Sequence, residues 1–159
     1  MRFSNTLLTL ALSLPLAYAD NLITFIPQDD QARIIYFTSN PGYAIIPDLY
    51  APAGKTVSVT LPHGWQGNFK APHAGADKNA NWILGEVAFQ GGDDHKLISY
   101  DVSAIVNQTD GTGIHWLYPT SGNGFKSGCD TFPCNTAYVG SDDVQTRTTY
   151  ETTLTCLLG

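Results

Sequence analysis

The stretch Ile83-Leu84-Gly85-Glu86-Val87-Ala88-Phe89-Gln90-Gly91-Gly92-Asp93-Asp94-His95-Lys96-Leu97-Ile98-Ser99-Tyr100-Asp101-Val102 decides how this chain reads. Two β-type runs flank a turn-forming Gly-Gly-Asp-Asp, the pattern of a hairpin closed by a loop of several residues. With the turn centred between Asp93 and Asp94, Phe89 opposes Ile98, Val87 opposes Tyr100 and Glu86 opposes Asp101. One face is then apolar throughout. The other brings two carboxylates side by side, about 4.5 to 5.5 Å apart at Cβ, and like charges directly opposed weaken a hairpin. A slip of one residue would bury the acids and expose Val87, Phe89, Ile98 and Tyr100, so the pattern selects this register. The opposed acids invite a functional reading, beside the plainer one of two solvated carboxylates on an outer face.

Outward from the hairpin, residues 1–19 carry Arg2 near the start, an apolar run from Leu7 to Leu16, and Ala17-Tyr18-Ala19 in the small-x-small pattern, as a cleaved secretory signal does. Cleavage leaves residues 20–159, enough for one domain with a full core. No second run approaches the roughly 18 apolar residues of a membrane span. The ending Cys156-Leu157-Leu158-Gly159 is a poor prenylation signal on a secreted chain. Lys plus Arg number 8 against 14 Asp plus Glu, and loss of Arg2 takes the formal charge from −6 to −7. That surface repels phosphate backbones and anionic lipid, so neither nucleic acid nor membrane is an expected partner, whereas a neutral polymer meets no penalty.

Short β-branched or aromatic runs recur at 22–26, 33–38, 43–46, 56–61, 64–70, 82–89, 97–106, 113–118 and 146–157, separated by turn residues. Strands this short and frequent predict an all-β single domain, a sandwich or a barrel. In Thr56-Val57-Ser58-Val59-Thr60-Leu61 the alternation points Val57, Val59 and Leu61 inward. No window keeps a helical period, and 15 Gly with 9 Pro oppose long helices.

Few residue sets favour chemistry. His63, His73, His95 and His115 show no short metal-ligand spacing, so no metal and no cofactor is implied. A Gly-x-Ser-x-Gly elbow is missing. Asp29-Asp30, Asp93-Asp94 and Asp142-Asp143 lack the calcium-loop pattern and read as turn formers. Tyr43, Tyr50, Trp65, Phe69, Trp82, Trp116 and Tyr118 are candidates for stacking on a sugar ring or for the core. Asn107-Gln108-Thr109 is a glycosylation sequon.

Several motifs, in order, resemble the signatures of thaumatin-like proteins: Gly54-Lys55-Thr56-Val57-Ser58-Val59, Gly64-Trp65-Gln66-Gly67-Asn68-Phe69, Gly85-Glu86-Val87-Ala88-Phe89, Tyr100-Asp101-Val102-Ser103, and Ala137-Tyr138 with Asp142-Asp143-Val144-Gln145-Thr146. The likeness covers most of the mature chain and is greatest to small secreted fungal members that lack the disulfide-rich loop domain. It implies a flattened antiparallel β-sandwich and an acidic cleft associated with β-1,3-glucan. Glu86 then matches the cleft glutamate and Asp101 its first aspartate. Val106 stands where the second aspartate belongs, and Asn68 where an arginine does.

The leading expectation from this likeness is a secreted, wall-associated protein that binds β-1,3-glucan without catalysis through Glu86, Asp101, Asn68, Trp65 and Trp82. An endo-β-1,3-glucanase with Glu86 and Asp101 as catalytic pair is the alternative, and a secreted adhesin or effector acting on a host protein the second. Three cysteines leave at least one unpaired in a monomer. Cys129 and Cys134 enclose a short Asp-Thr-Phe-Pro turn and, in the resemblance, match the cysteines flanking the missing loop domain, so they are expected to pair. Cys156 is expected reduced and buried, with a Cys156-linked dimer as the lesser alternative to a monomer.

Overall fold

The computed structural model describes residues 21–91 and 95–159; the signal segment 1–19 and the turn residues 92–94 of the hairpin lie outside the described residues. Among the described residues eleven strands run β1 Asn21–Pro27, β2 Arg33–Ser39, β3 Leu49–Ala51, β4 Val57–Leu61, β5 Gln66–Lys70, β6 Leu84–Gly91, β7 Leu97–Ser103, β8 Ile114–Pro119, β9 Ser127–Gly128, β10 Arg147–Thr149 and β11 Thr153–Leu158. They form two sheets, β4-β1-β11-β8-β9 and β10-β7-β6-β5-β2-β3, packed as a sandwich in a single all-β domain. No helix among the described residues is long and apolar enough to cross a membrane.

Alternation builds the core. Ile23 and Phe25 of β1, Leu154, Cys156 and Leu158 of β11, and Leu117 of β8 meet Ile35, Phe69, Val87, Phe89, Ile98, Tyr100 and Val102 from the other sheet. At its centre Phe25 meets Phe69 edge-on, with ring centroids 5.3 Å apart, and Phe37 stands against both Phe69 and Trp65. Two glycines exist because these rings leave no room. A Cβ at Gly85 would lie 2.4 Å from the Phe69 ring, and one at Gly67 would lie 2.3 Å from the Thr38 carbonyl oxygen and 2.8 Å from the Trp65 indole.

The β6–β7 register pairs Glu86 with Asp101 and Val87 with Tyr100. It does not reach Phe89 opposite Ile98, because the register shifts between Ala88 and Gly91. This bulge puts Gln90 at a left-handed φ of 46°. Its buried amide holds it there: Oε1 accepts from Asn21 Nδ2 (3.0 Å) and the Gly64 amide (2.9 Å), and Nε2 donates to Asn21 Oδ1. The amide pair thereby ties β6 to β1 across the sandwich.

Other expectations need correction. Residues 43–46, read as a strand, form an irregular loop after Pro41-Gly42, and Trp65 donates its indole N–H to the Ala44 carbonyl (3.0 Å) and Ser39 Oγ (3.1 Å). The run 146–157 is two strands in different sheets, β10 beside β7 and β11 between β1 and β8. Strands β3 and β9, of 3 and 2 residues, are too short to carry a pattern. Pairing is not wholly antiparallel either, since the terminal strands β1 and β11 run parallel.

Candidate functional site

The outer face of the six-stranded sheet carries one polar row. Thr38 of β2 pairs with Asn68 of β5, Asn68 with Glu86 of β6, and Glu86 with Asp101 of β7. Thr146, next to β10, continues it by donating its hydroxyl to Asp101 Oδ2 at 3.3 Å. The same hydroxyl lies 2.8 Å from Tyr138 Oη. Above the row opens a cleft of about 250 Å³ lined by Asn40, Asn68, Glu86, Ser99, Asp101 and Thr146, together with Gly67 of β5 and Val87 and Ala88 of β6.

Asp101 is 8% exposed, and its Oδ1 has no hydrogen-bond partner. Burial first, then the charge of Glu86 and a side-chain hydrogen bond between the two carboxyls, push its carboxyl up to about 7, against the opposing pull of the Thr146 hydroxyl. Among the described residues neither acid has a lysine or arginine at ion-pair distance. Lys70, diagonal to Glu86 on β5, makes no bridge to it, and Arg147, paired with Tyr100, sits over the Phe125 ring at 5.8 Å.

Of the other residues expected at the site, Asn68 lines the cleft, whereas Trp65 does not. At 1% exposure Trp65 belongs to the core, and Phe69 with it, so neither offers a face to a sugar. Trp82 precedes β6, four residues from Glu86 and so about 13 Å along the strand. It donates its N–H to the Asp77 carbonyl (2.9 Å) and meets His73 edge-on, outside the cleft. Trp116 and Tyr118 lie on the other sheet beneath Lys126, whose Nζ is 4.4 Å from the Tyr118 ring. Among the described residues no aromatic side chain lines the cleft.

Sequence reading missed the network that Asp29 joins. Arg33, 1% exposed, donates to both Asp29 oxygens (2.6 and 2.8 Å), twice to the Thr112 carbonyl (3.0 and 2.8 Å), and to the Gln31 carbonyl. Asp29, taken as a turn former, is held below the usual carboxylate range by those guanidinium bonds. Asp110 closes the network, accepting from the Ile83 amide (3.2 Å) and from the amide and hydroxyl of Thr112 (3.0 Å each). The i, i+4 spacing of Asp29 and Arg33 was the available signal.

Cys129 and Cys134 form a disulfide, and Cys156 is a free thiol at 0% exposure whose ionisation burial opposes. Asn107 of the sequon is half-buried, donating to the Asn81 carbonyl (2.9 Å) and accepting from the amide and hydroxyl of Thr109 (3.0 Å each). No group of three or more His, Cys, Asp and Glu among the described residues is placed to hold a metal.

No family model matches the chain. Among solved structures, the protein elicitor MoHrip2 from Magnaporthe oryzae shares the fold, with a TM-score of 0.66 at 14% identity over 87% of this chain and 98% of that one. Among curated proteins, the antigenic protein SchS21 of Stachybotrys chartarum is 38% identical over 137 residues, 86% of this chain and 93% of its own. These relatives correct the thaumatin resemblance and the glucan-binding function drawn from it. The motifs that suggested it are the marks of local packing: Gly-Trp-x-Gly-x-Phe and Gly-Glu-Val-x-Phe record the Trp65 and Phe69 rings lying on Gly67 and Gly85. With 38% identity over nearly the full length of both, the chain belongs to the family of the antigenic protein SchS21.

Proposed function

We propose that this chain is a secreted protein that acts on a host protein in the manner of an elicitor. The observation that carries the reading is its kinship at 38% identity with a protein named as antigenic, joined to a fold shared with a protein elicitor. The signal-like segment 1–19 and the Cys129–Cys134 disulfide support passage into an oxidising, extracellular space. On that route the Asn107 sequon meets the glycosylation machinery, and a mass lost on Asn107→Gln in the secreted protein is the expected sign.

The test is infiltration of purified residues 20–159 into plant leaf tissue, with the oxidative burst as readout and reduced, heat-unfolded protein as control. The folded protein should trigger the burst and the unfolded one should not. No burst from folded protein, or an equal burst from both, would contradict recognition of a folded surface.

A further inference from the structure

We propose that the protein self-associates through the outer edge of β4, a second copy of the chain adding its own β4 antiparallel so that the two five-stranded sheets run on into one. A two-fold axis through Ser58 relates the copies.

The first ground is the edge itself. Each sheet ends in two edge strands, and among the described residues β3, β9 and β10 are only 3, 2 and 3 residues long. The fourth, β4, has 5 residues and pairs with β1 alone, in unbroken register from Val57 to Leu61. Folds blunt such an edge with a charge, a proline or a bulge, because its unpaired backbone groups are a template for another strand. Thr56 to Leu61 contains none of the three. Which groups face out follows from β1. The Leu22 amide donates to the Thr152 carbonyl (2.9 Å) and the Gln28 amide to the Leu158 carbonyl (2.6 Å), so even-numbered residues along β1 turn their backbone to β11 and odd-numbered ones to β4. Ile23 and Phe25 therefore bond to their partners Val59 and Val57. Ser58 and Thr60, both exposed, point their N–H and C=O groups outward, where no other segment among the described residues bonds to them.

The second ground is symmetry, which selects the occupant. Thr56-Val57-Ser58-Val59-Thr60 reads the same in both directions. An antiparallel pair centred on Ser58 sets Ser58 against Ser58, Val57 against Val59 and Thr56 against Thr60, so the edge is complementary to itself, as an isologous interface requires. The backbone directions agree with that centre. Ser58 with Ser58 and Thr56 with Thr60 become the hydrogen-bonded pairs, and Val57 with Val59 the other kind, whose side chains come closest, with Cα atoms about 4.5 Å apart. Both valines are half-buried in the single chain, and the partner's valines extend their burial. On the outer face Ser58 Oγ lies 3.0 Å from Thr24 Oγ1, and the axis continues this hydroxyl pair into the second copy. A formal charge of −6 on each chain opposes the association. So short an edge is also small beside the roughly 800 Å² per partner of a stable interface, which makes the dimer weak and reversible.

Sedimentation equilibrium tests this on the purified protein from about 10 µM to about 1 mM, in about 0.5 M sodium chloride to screen the repulsion. The mass should shift reversibly from one chain to two, with or without dithiothreitol. Hydrogen exchange read by NMR should slow at the Ser58 and Thr60 amides as concentration rises, and stay constant at Val57 and Val59, which β1 already holds. Ser58→Lys places like charges opposite each other on the axis and should weaken the dimer about fivefold, as should Ser58→Glu, and an equal mixture of the two should restore it. If a charge variant fails to fold, Ser58→Pro gives the same loss, since it removes the central outward donor at an edge position where proline is tolerated. A single-chain mass at about 1 mM overturns the proposal. So does a dimer that Ser58→Lys and Ser58→Pro leave intact, one that the mixed charge variants fail to restore, or one whose newly protected amides lie outside β4.

Discussion

Arg33 and Asp101 are both charged, both buried, and both on strands of the six-stranded sheet, yet their surroundings treat them in opposite ways. All five N–H groups of Arg33 have acceptors, and the network runs on through Thr112 to Asp110 without a loose end. Asp101 accepts from one neutral donor, the Thr146 hydroxyl at 3.3 Å, and its other close side-chain partner is a second acid, Glu86. A buried charge that the fold uses for itself is closed by the fold. One pressed against a second acid at the wall of a cleft is held at a cost in stability, and that contrast is why the site is sought at Asp101 and not at Arg33.

The contrast predicts opposite signs for mutation. Arg33→Ala should give the largest effect, a loss of about 3 kcal/mol in denaturant unfolding, because it strands the Thr112 and Gln31 carbonyls and leaves Asp29 unpaired. A loss below about 1 kcal/mol would mean that the network contributes little. Asp110→Ala should cost about 2 kcal/mol by leaving the Ile83 and Thr112 donors without an acceptor. Removing the disulfide by Cys129→Ser with Cys134→Ser should also cost about 2 kcal/mol, the chain-entropy value for so small a ring. Asp101→Asn should instead stabilise the domain at about pH 8, by about 1 kcal/mol or a few degrees in Tm, since it relieves the facing charges.

The two acids also differ in their pH dependence. The Asp101 carboxyl is raised from 3.8 to about 7 in the folded state, so its contribution to stability is fully present below pH 3.8 and lost as pH rises through 7. The Asp29 carboxyl is lowered, so its contribution is present above 3.8 and lost as acid is added. Asp101→Asn should therefore flatten the decline of Tm between about pH 4 and pH 7 and leave the acid limb in place. An unchanged decline would separate Asp101 from it.

How much of this was legible depended on whether the determining contacts were local. The pairing of Glu86 with Asp101 could be read because a hairpin's register follows from its own alternation. Its break at Gln90 could not, since the bulge is held by Asn21, distant in sequence. The parallel β1–β11 pair joins the two ends of the domain, and nothing in either strand's pattern marks the other as partner. Trp65 is equally apolar as a stacking platform or a core residue, and only the opposing sheet decides for the core. The family escaped for a related reason: glycines beside buried rings answer to packing, and chains of different descent meet that need alike.

Direct titration of the aspartate side-chain carboxyl carbons by NMR, from about pH 2 to pH 9, tests the central contrast most directly. Asp101 should change ionisation near 7, in a step that alters when Glu86 becomes Gln, while Asp29 titrates below 3.8. An Asp101 carboxyl that titrates near 3.8 and ignores Glu86→Gln would contradict the account, because the fold would then have closed that charge as it closes Arg33.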